Sequence, residues 1–155
     1  MGSENNGKFT PALLASAVVA ALGGLLFGFD TAVIAGVSKA LKEIYSLGDM
    51  GEGFTVSVAL LGTMAGALAA SVPSDKWGRR DSLKLTGFLF LVSALGCASA
   101  WNWHSMLFFR FVGGLGIGAA SVIAPMYIAE ISPAKSRGLL VATFQWNIVA
   151  GILLA

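Results

Sequence analysis

The chain has 155 residues, 56% of them hydrophobic and only 12% charged, with a mean hydropathy of +0.80 and a formal net charge of +2. Soluble domains carry about 25% charged residues, so this composition excludes a water-soluble globule and points to an integral membrane protein. So small a net charge offers nothing to nucleic acid, and the single cysteine, Cys97, cannot form an internal disulfide and reads as a small buried hydrophobe.

Residues 1–9 form a polar tail with one lysine, Lys8. The apolar run after it is too long for the core of a cleavable signal. Met1-Gly2-Ser3 opens like a myristoylation site, but Asn6 stands where that site needs Ser or Thr. Residues 10–155 then read as one incomplete transmembrane domain with five predicted helices, at about 11–37, 54–72, 83–100, 106–128 and 138–155. The last is still apolar at Ala155 with no polar anchor behind it. Together with the odd number of spans, this leads us to expect a fragment with four complete helices and most of a fifth.

From Pro11 to Phe29 there is no charge, long enough for a helix to cross the roughly 30 Å hydrocarbon core. Asp30 then interrupts the run Leu26-Phe27-Gly28-Phe29-Asp30-Thr31-Ala32-Val33, and the apolar pattern resumes through Val37. A carboxylate at that depth costs about 2.5–3.5 kcal/mol on insertion scales, so it calls for a partner and a task. The expected task is carrying a proton.

Lys76, Arg79, Arg80 and Lys84 follow the second span, and Lys135 and Arg137 follow the fourth, on the same side as Lys8. The other side has only Lys39 and Lys42, and Trp101 and Trp103 mark its interface. The positive-inside rule then puts the N-terminus in the cytoplasm, in an inner or plasma membrane. Counted from the outer surface, Asp30 in the first span and Arg110 in the fourth fall at similar depth. An acid and a base in one layer are expected to pair, and unpairing is a candidate switch; the plainer alternative is that Arg110 snorkels outward.

Gly24 and Gly28, Gly62 and Gly66, and Gly114 and Gly118 each stand four apart, the spacing that lets helices approach closely in a membrane. The stretch Gly114-Leu115-Gly116-Ile117-Gly118-Ala119 follows no strand and lies inside a span, so it is not read as a nucleotide-binding turn. Gln145 falls about two turns into the fifth span, near the midplane, where an amide must find partners. A helix–helix hydrogen bond would satisfy it as well as a ligand would. His104 has no neighbouring cysteine or carboxylate for metal or triad chemistry and reads as a solvated loop residue, so no enzyme is expected.

The second-to-third loop reads Ser74-Asp75-Lys76-Trp77-Gly78-Arg79-Arg80-Asp81, denser in charge than membrane topology alone requires. The fourth-to-fifth junction reads Pro125-Met126-Tyr127-Ile128-Ala129-Glu130-Ile131-Ser132-Pro133-Ala134-Lys135-Ser136-Arg137-Gly138, which sets Glu130 and Arg137 within reach of Arg79. With GFDTAVIAG in the first span and RFVGGLGIG in the fourth, in this order and spacing, nearly the whole chain resembles the sugar porters of the major facilitator superfamily. Within that family it looks most like bacterial sugar–proton symporters such as those for xylose. Two departures stand out. Ser71 replaces a usual glycine four residues before Asp75, and Ile152 follows Gly151 where the xylose symporters have glutamine, which counts against xylose as the substrate.

The resemblance implies an all-α integral membrane fold of twelve helices in two six-helix halves, each built from inverted three-helix repeats, of which this chain supplies the N-terminal part. It implies a secondary active transporter taking up a monosaccharide with a proton by alternating access. Asp30 would be the protonation site and Arg110 its partner; Gln145 would bind sugar hydroxyls, flanked by Phe27 and Ile148. Asp75, Arg79, Arg80, Glu130 and Arg137 would form a cytoplasmic gate network. No cofactor or metal is implied, only the proton as coupling ion. The implied partners are the sugar, the proton, the bilayer and the remaining helices. The alternatives are a proton-independent uniporter and, from a different class, a non-transporting sugar sensor or truncated interaction protein.

Overall fold

A computed structural model describes residues 11–134 and 136–155; the expected tail at 1–9, with Lys8, and Lys135 lie outside the described residues. The described chain is helical, in the order α1 (Pro11–Ile44), α2 (Asp49–Ala69), α3 (Ser71–Trp77), α4 (Arg79–Ala98), α5 (Trp103–Ile131) and α6 (Arg137–Leu154). All but α3 are long and apolar enough to cross a membrane. Their outward faces carry exposed Leu60, Leu68, Phe88, Leu95, Phe108 and Leu153, an arrangement that only lipid or further protein can solvate. This is a multi-pass membrane protein.

Several helices outrun the apolar segments that announced them. α1 continues past Val37 to Ile44, because Lys39, Ala40, Leu41, Lys42 and Glu43 are good helix formers although three of the five are charged. α2 begins at Asp49, where Asp49 and Glu52 suit the positive end of the helix dipole. Asn102 caps α5, its side chain accepting the Ser105 N–H at 2.7 Å.

The charged loop after the second span is itself structured as α3. Pro73 has no N–H to offer the carbonyl of Ala69, so α2 cannot run on unbroken. The junction tightens instead, Ala70 N–H bonding the Ala67 carbonyl at 3.4 Å. Gly78, at φ +82°, then makes the corner between α3 and α4, a conformation that strains any residue with a Cβ.

α5 is the hub, packed most closely on α2 and α4 and also touching α1 and α6. α1 in turn packs chiefly on α6. Glycine makes these contacts possible. A Cβ on Gly62 would come within 2.5 Å of the Phe111 carbonyl oxygen, and one on Gly118 would fall on the Thr63 carbonyl. In the other pair, a Cβ on Gly24 would lie 2.6 Å from the Phe144 carbonyl oxygen, and one on Gly28 would overlap the Ile148 carbonyl. α1 therefore meets α6, and α5 meets α2, at glycines that let the backbones approach closely. Between these pairs sits an apolar core of Ala124, Ile128 and Phe144, with Ala70, Ala119 and Ile123 on the α2 side.

Candidate functional site

Two groups of charged side chains sit at different levels of the bundle. In the interior, α1 and α5 bring the Asp30 carboxylate and the Arg110 guanidinium to 3.6 Å. Only 11% of the Arg110 side chain is exposed, so it is enclosed by helices and does not snorkel. Its Nε is buried with no hydrogen-bond partner. A third of the Asp30 side chain remains exposed among the described residues.

At the basic end of the bundle, Arg79 gathers three partners. Its Nε donates to Glu130 Oε1 at 3.1 Å, and its Nη1 lies 3.6 Å from Asp75. Nη1 also donates to the hydroxyl of Ser74, which is buried. Arg79 thus ties the start of α4 to the end of α5 and back to α3. Arg80 and Arg137, expected in the same network, make no ion pair among the described residues. Arg80 turns toward a cavity, and Arg137 is exposed at the start of α6.

The expected sugar-binding residues do not converge within these helices. Phe27 lines a cavity of about 600 Å³ between α1, α4 and α5, with Leu83, Phe90 and Ile117, and with Arg80 and Lys84 at its basic end. Ile148 lies against Gly24 and Gly28 in the α1–α6 contact. Gln145 follows the buried Phe144 on α6 and is exposed, about 100° around the helix from the face that meets α1. Asn147 donates to its own helix at the Thr143 carbonyl, 2.8 Å away.

Three contacts were not legible as such in the sequence. Ser74 stands among charged residues, and nothing in its spacing marks its hydroxyl as a partner of Arg79. Trp103, read only as an interface anchor, donates its indole N–H to the buried hydroxyl of Thr55 at 2.9 Å and joins α5 to α2. Ser93 donates across from α4 to the Phe109 carbonyl at 2.6 Å. No spacing rule marks a serine or threonine as crossing between helices. The only sequence signal is a polar residue on an otherwise apolar face.

Nearly the whole of this chain matches known proteins in sequence and in fold. The family model described as "Sugar (and other) transporter" matches residues 16–155. A glucose transport protein of the cyanobacterium Synechocystis is 47% identical over 153 residues, covering 99% of this chain and 32% of that protein. The D-xylose-proton symporter of Escherichia coli is 36% identical over 182 aligned positions, covering 99% of this chain and 36% of that one. The solved structure of the E. coli xylose transporter in its inward open conformation superposes with a TM-score of 0.84 at 37% identity, over 92% of this chain and 38% of that one. The chain spans about a third of the length of these relatives. Spans, fold and sequence agree, and the chain belongs to the sugar transporter family of the major facilitator superfamily.

Proposed function

We propose that these helices serve a proton-coupled symporter for a monosaccharide, in an inner or plasma membrane with the N-terminus cytoplasmic. The observation that carries this reading is the Asp30–Arg110 pair, 3.6 Å apart inside the spans. Pairing offsets part of the cost of enclosing each charge, so losing the charge on one partner leaves the other uncompensated. Protonation of Asp30 removes its attraction for Arg110 and frees α1 to move against α5. Sugar and proton loading then favour the same conformational change, which is what coupling requires.

The Arg79 cluster suits a latch at the cytoplasmic end, closing in one conformation and opening in the other. Gln145, exposed on α6, would meet sugar hydroxyls together with groups from a second half, as alternating access around a central site implies. One relative named for xylose and one named for arabinose are named as proton symporters. The Synechocystis relative is named for glucose transport, and the second reading is a proton-independent sugar uniporter.

One experiment separates the two readings. The complete gene product is reconstituted in unbuffered vesicles, and a panel of sugars is added while external pH is recorded. Alkalinisation with one or two sugars is the expected result and identifies the substrate. Tracer exchange with no movement of pH would establish the uniporter, and sugar binding with no flux of either kind would make the protein a sensor.

A further inference from the structure

Arg110 is fixed by little of its own. Its Nη1 approaches Asp30 at 3.6 Å, its Nε is unpartnered, and its guanidinium makes no hydrogen bond among the described residues. A side chain held so loosely goes where its backbone goes. Whatever sets α5 at this level therefore sets the ion pair.

The preceding residue, Phe109, is gripped twice by a single turn of α4. Ser93 Oγ donates to the Phe109 carbonyl at 2.6 Å. The Phe109 ring lies over Gly96, so closely that a Cβ there would overlap it. One turn along α5, Gly113 leaves the space that the Ser93 hydroxyl occupies. This is not the general behaviour of hydroxyls on α4. Thr86 donates within its own helix, to the Leu83 carbonyl at 2.8 Å, and the fully buried Ser82 hydroxyl has no partner. Among the buried hydroxyls of α4, Ser93 alone reaches α5, and it does so beside Arg110.

We propose that Ser93, with Gly96 beneath the Phe109 ring, is a positioning residue that sets the rotation of α5 so that Arg110 faces Asp30. The proposal rests on reading that pair as the proton-coupling site. Ser93 touches neither proton nor sugar, and its effect is transmitted through the backbone of α5. A serine that merely fills the α4–α5 contact would affect folding and every transport mode alike, whereas a positioning serine affects coupling.

The test uses the complete gene product in vesicles with Ser93→Ala, Ser93→Thr and Ser93→Cys. Three quantities are measured: proton-driven sugar accumulation, sugar exchange without a gradient, and the infrared carboxyl band of Asp30, identified by its loss in Asp30→Asn. Ser93→Ala is expected to lower accumulation about threefold, the size of one interhelical hydrogen bond in a bilayer. Exchange should hold while the Asp30 band moves, and Ser93→Thr should restore both accumulation and band. Equal loss of accumulation and exchange with an unmoved band would make Ser93 ordinary packing and overturn the proposal, as would no change at all. Where Ser93→Ala does not fold, Ser93→Cys, similar in shape but a weaker donor, carries the same comparison. Should the unsubstituted protein accumulate no sugar with a proton gradient, the coupling reading fails by itself; the Asp30 band still decides the clamp, and an unmoved band then overturns that too.

Discussion

At the scale of residues, two kinds of ion pair coexist, and their surroundings give them different worth. Asp30–Arg110 is enclosed, so removing one charge leaves the other buried and uncompensated. Asp30→Asn is therefore expected to abolish concentrative uptake while leaving some exchange, because the amide mimics the protonated acid but cannot cycle. Tracer accumulation compared with tracer exchange checks this, and accumulation at the unsubstituted level would remove Asp30 from the coupling mechanism. In the unsubstituted protein, raising external pH should depress accumulation, since less protonated carrier is available to load sugar. Arg79–Glu130 is different. Half of the Glu130 side chain is exposed, and such pairs contribute about 0–1 kcal/mol. Glu130→Gln should thus change exchange rates by no more than about fivefold, and the difference should shrink in high salt. A far larger loss that ignores salt would mean that the pair is a permanent staple, not a latch.

At the scale of elements, glycine decides how near the helices come, and the geometry separates the critical positions from the indifferent ones. A Cβ at Gly118 would fall on the Thr63 carbonyl, where nothing can give without moving backbone. Gly118→Leu should destabilise the α2–α5 contact by at least the ~1–3 kcal/mol typical of overpacking. Gly23 meets nothing within 4 Å, and Gly23→Ala should leave stability unchanged. Thermal unfolding of the two variants in the same detergent tests the contrast, and equal behaviour would show that the glycine pairs do not set the helix spacing. The spacing of these glycines was legible in the sequence, but which of them meet a backbone was not. Gly23 and Gly24 are neighbours in sequence, yet only Gly24 faces α6. The helix ends were legible only in part, because hydropathy reports where a helix leaves the lipid and not where its hydrogen bonds stop.

At the scale of the whole molecule, the five long helices form two glycine-joined pairs, α1 with α6 and α2 with α5, with α4 packed on α5. Alternating access needs two such units to rock about a site between them. The 155 residues alone are therefore expected to insert into vesicles without carrying sugar, as tracer flux from the purified chain would check; measurable flux would mean that a single such unit, or copies of it, can alternate. The residues that the resemblance offers as sugar ligands stay apart among the described helices. Phe27, Ile148 and Gln145 lie in a cavity, in a helix contact and on an exposed face respectively.

The sequence by itself determined the solvent, the number of long helices, the family and the presence of an acid and a base in one membrane layer. Each of these is a local matter of composition, run length or motif, since lipid penalises every misplaced charge wherever it falls. The tertiary structure decided which charges meet. It enclosed Arg110 against Asp30 instead of letting it snorkel, drew Glu130 to Arg79 while leaving Arg80 and Arg137 outside, and aimed the Ser93 hydroxyl across to α5. Such pairings depend on the rotation of each helix about its axis. That rotation is set jointly by all the neighbours a helix packs against, so no stretch of sequence carries it alone.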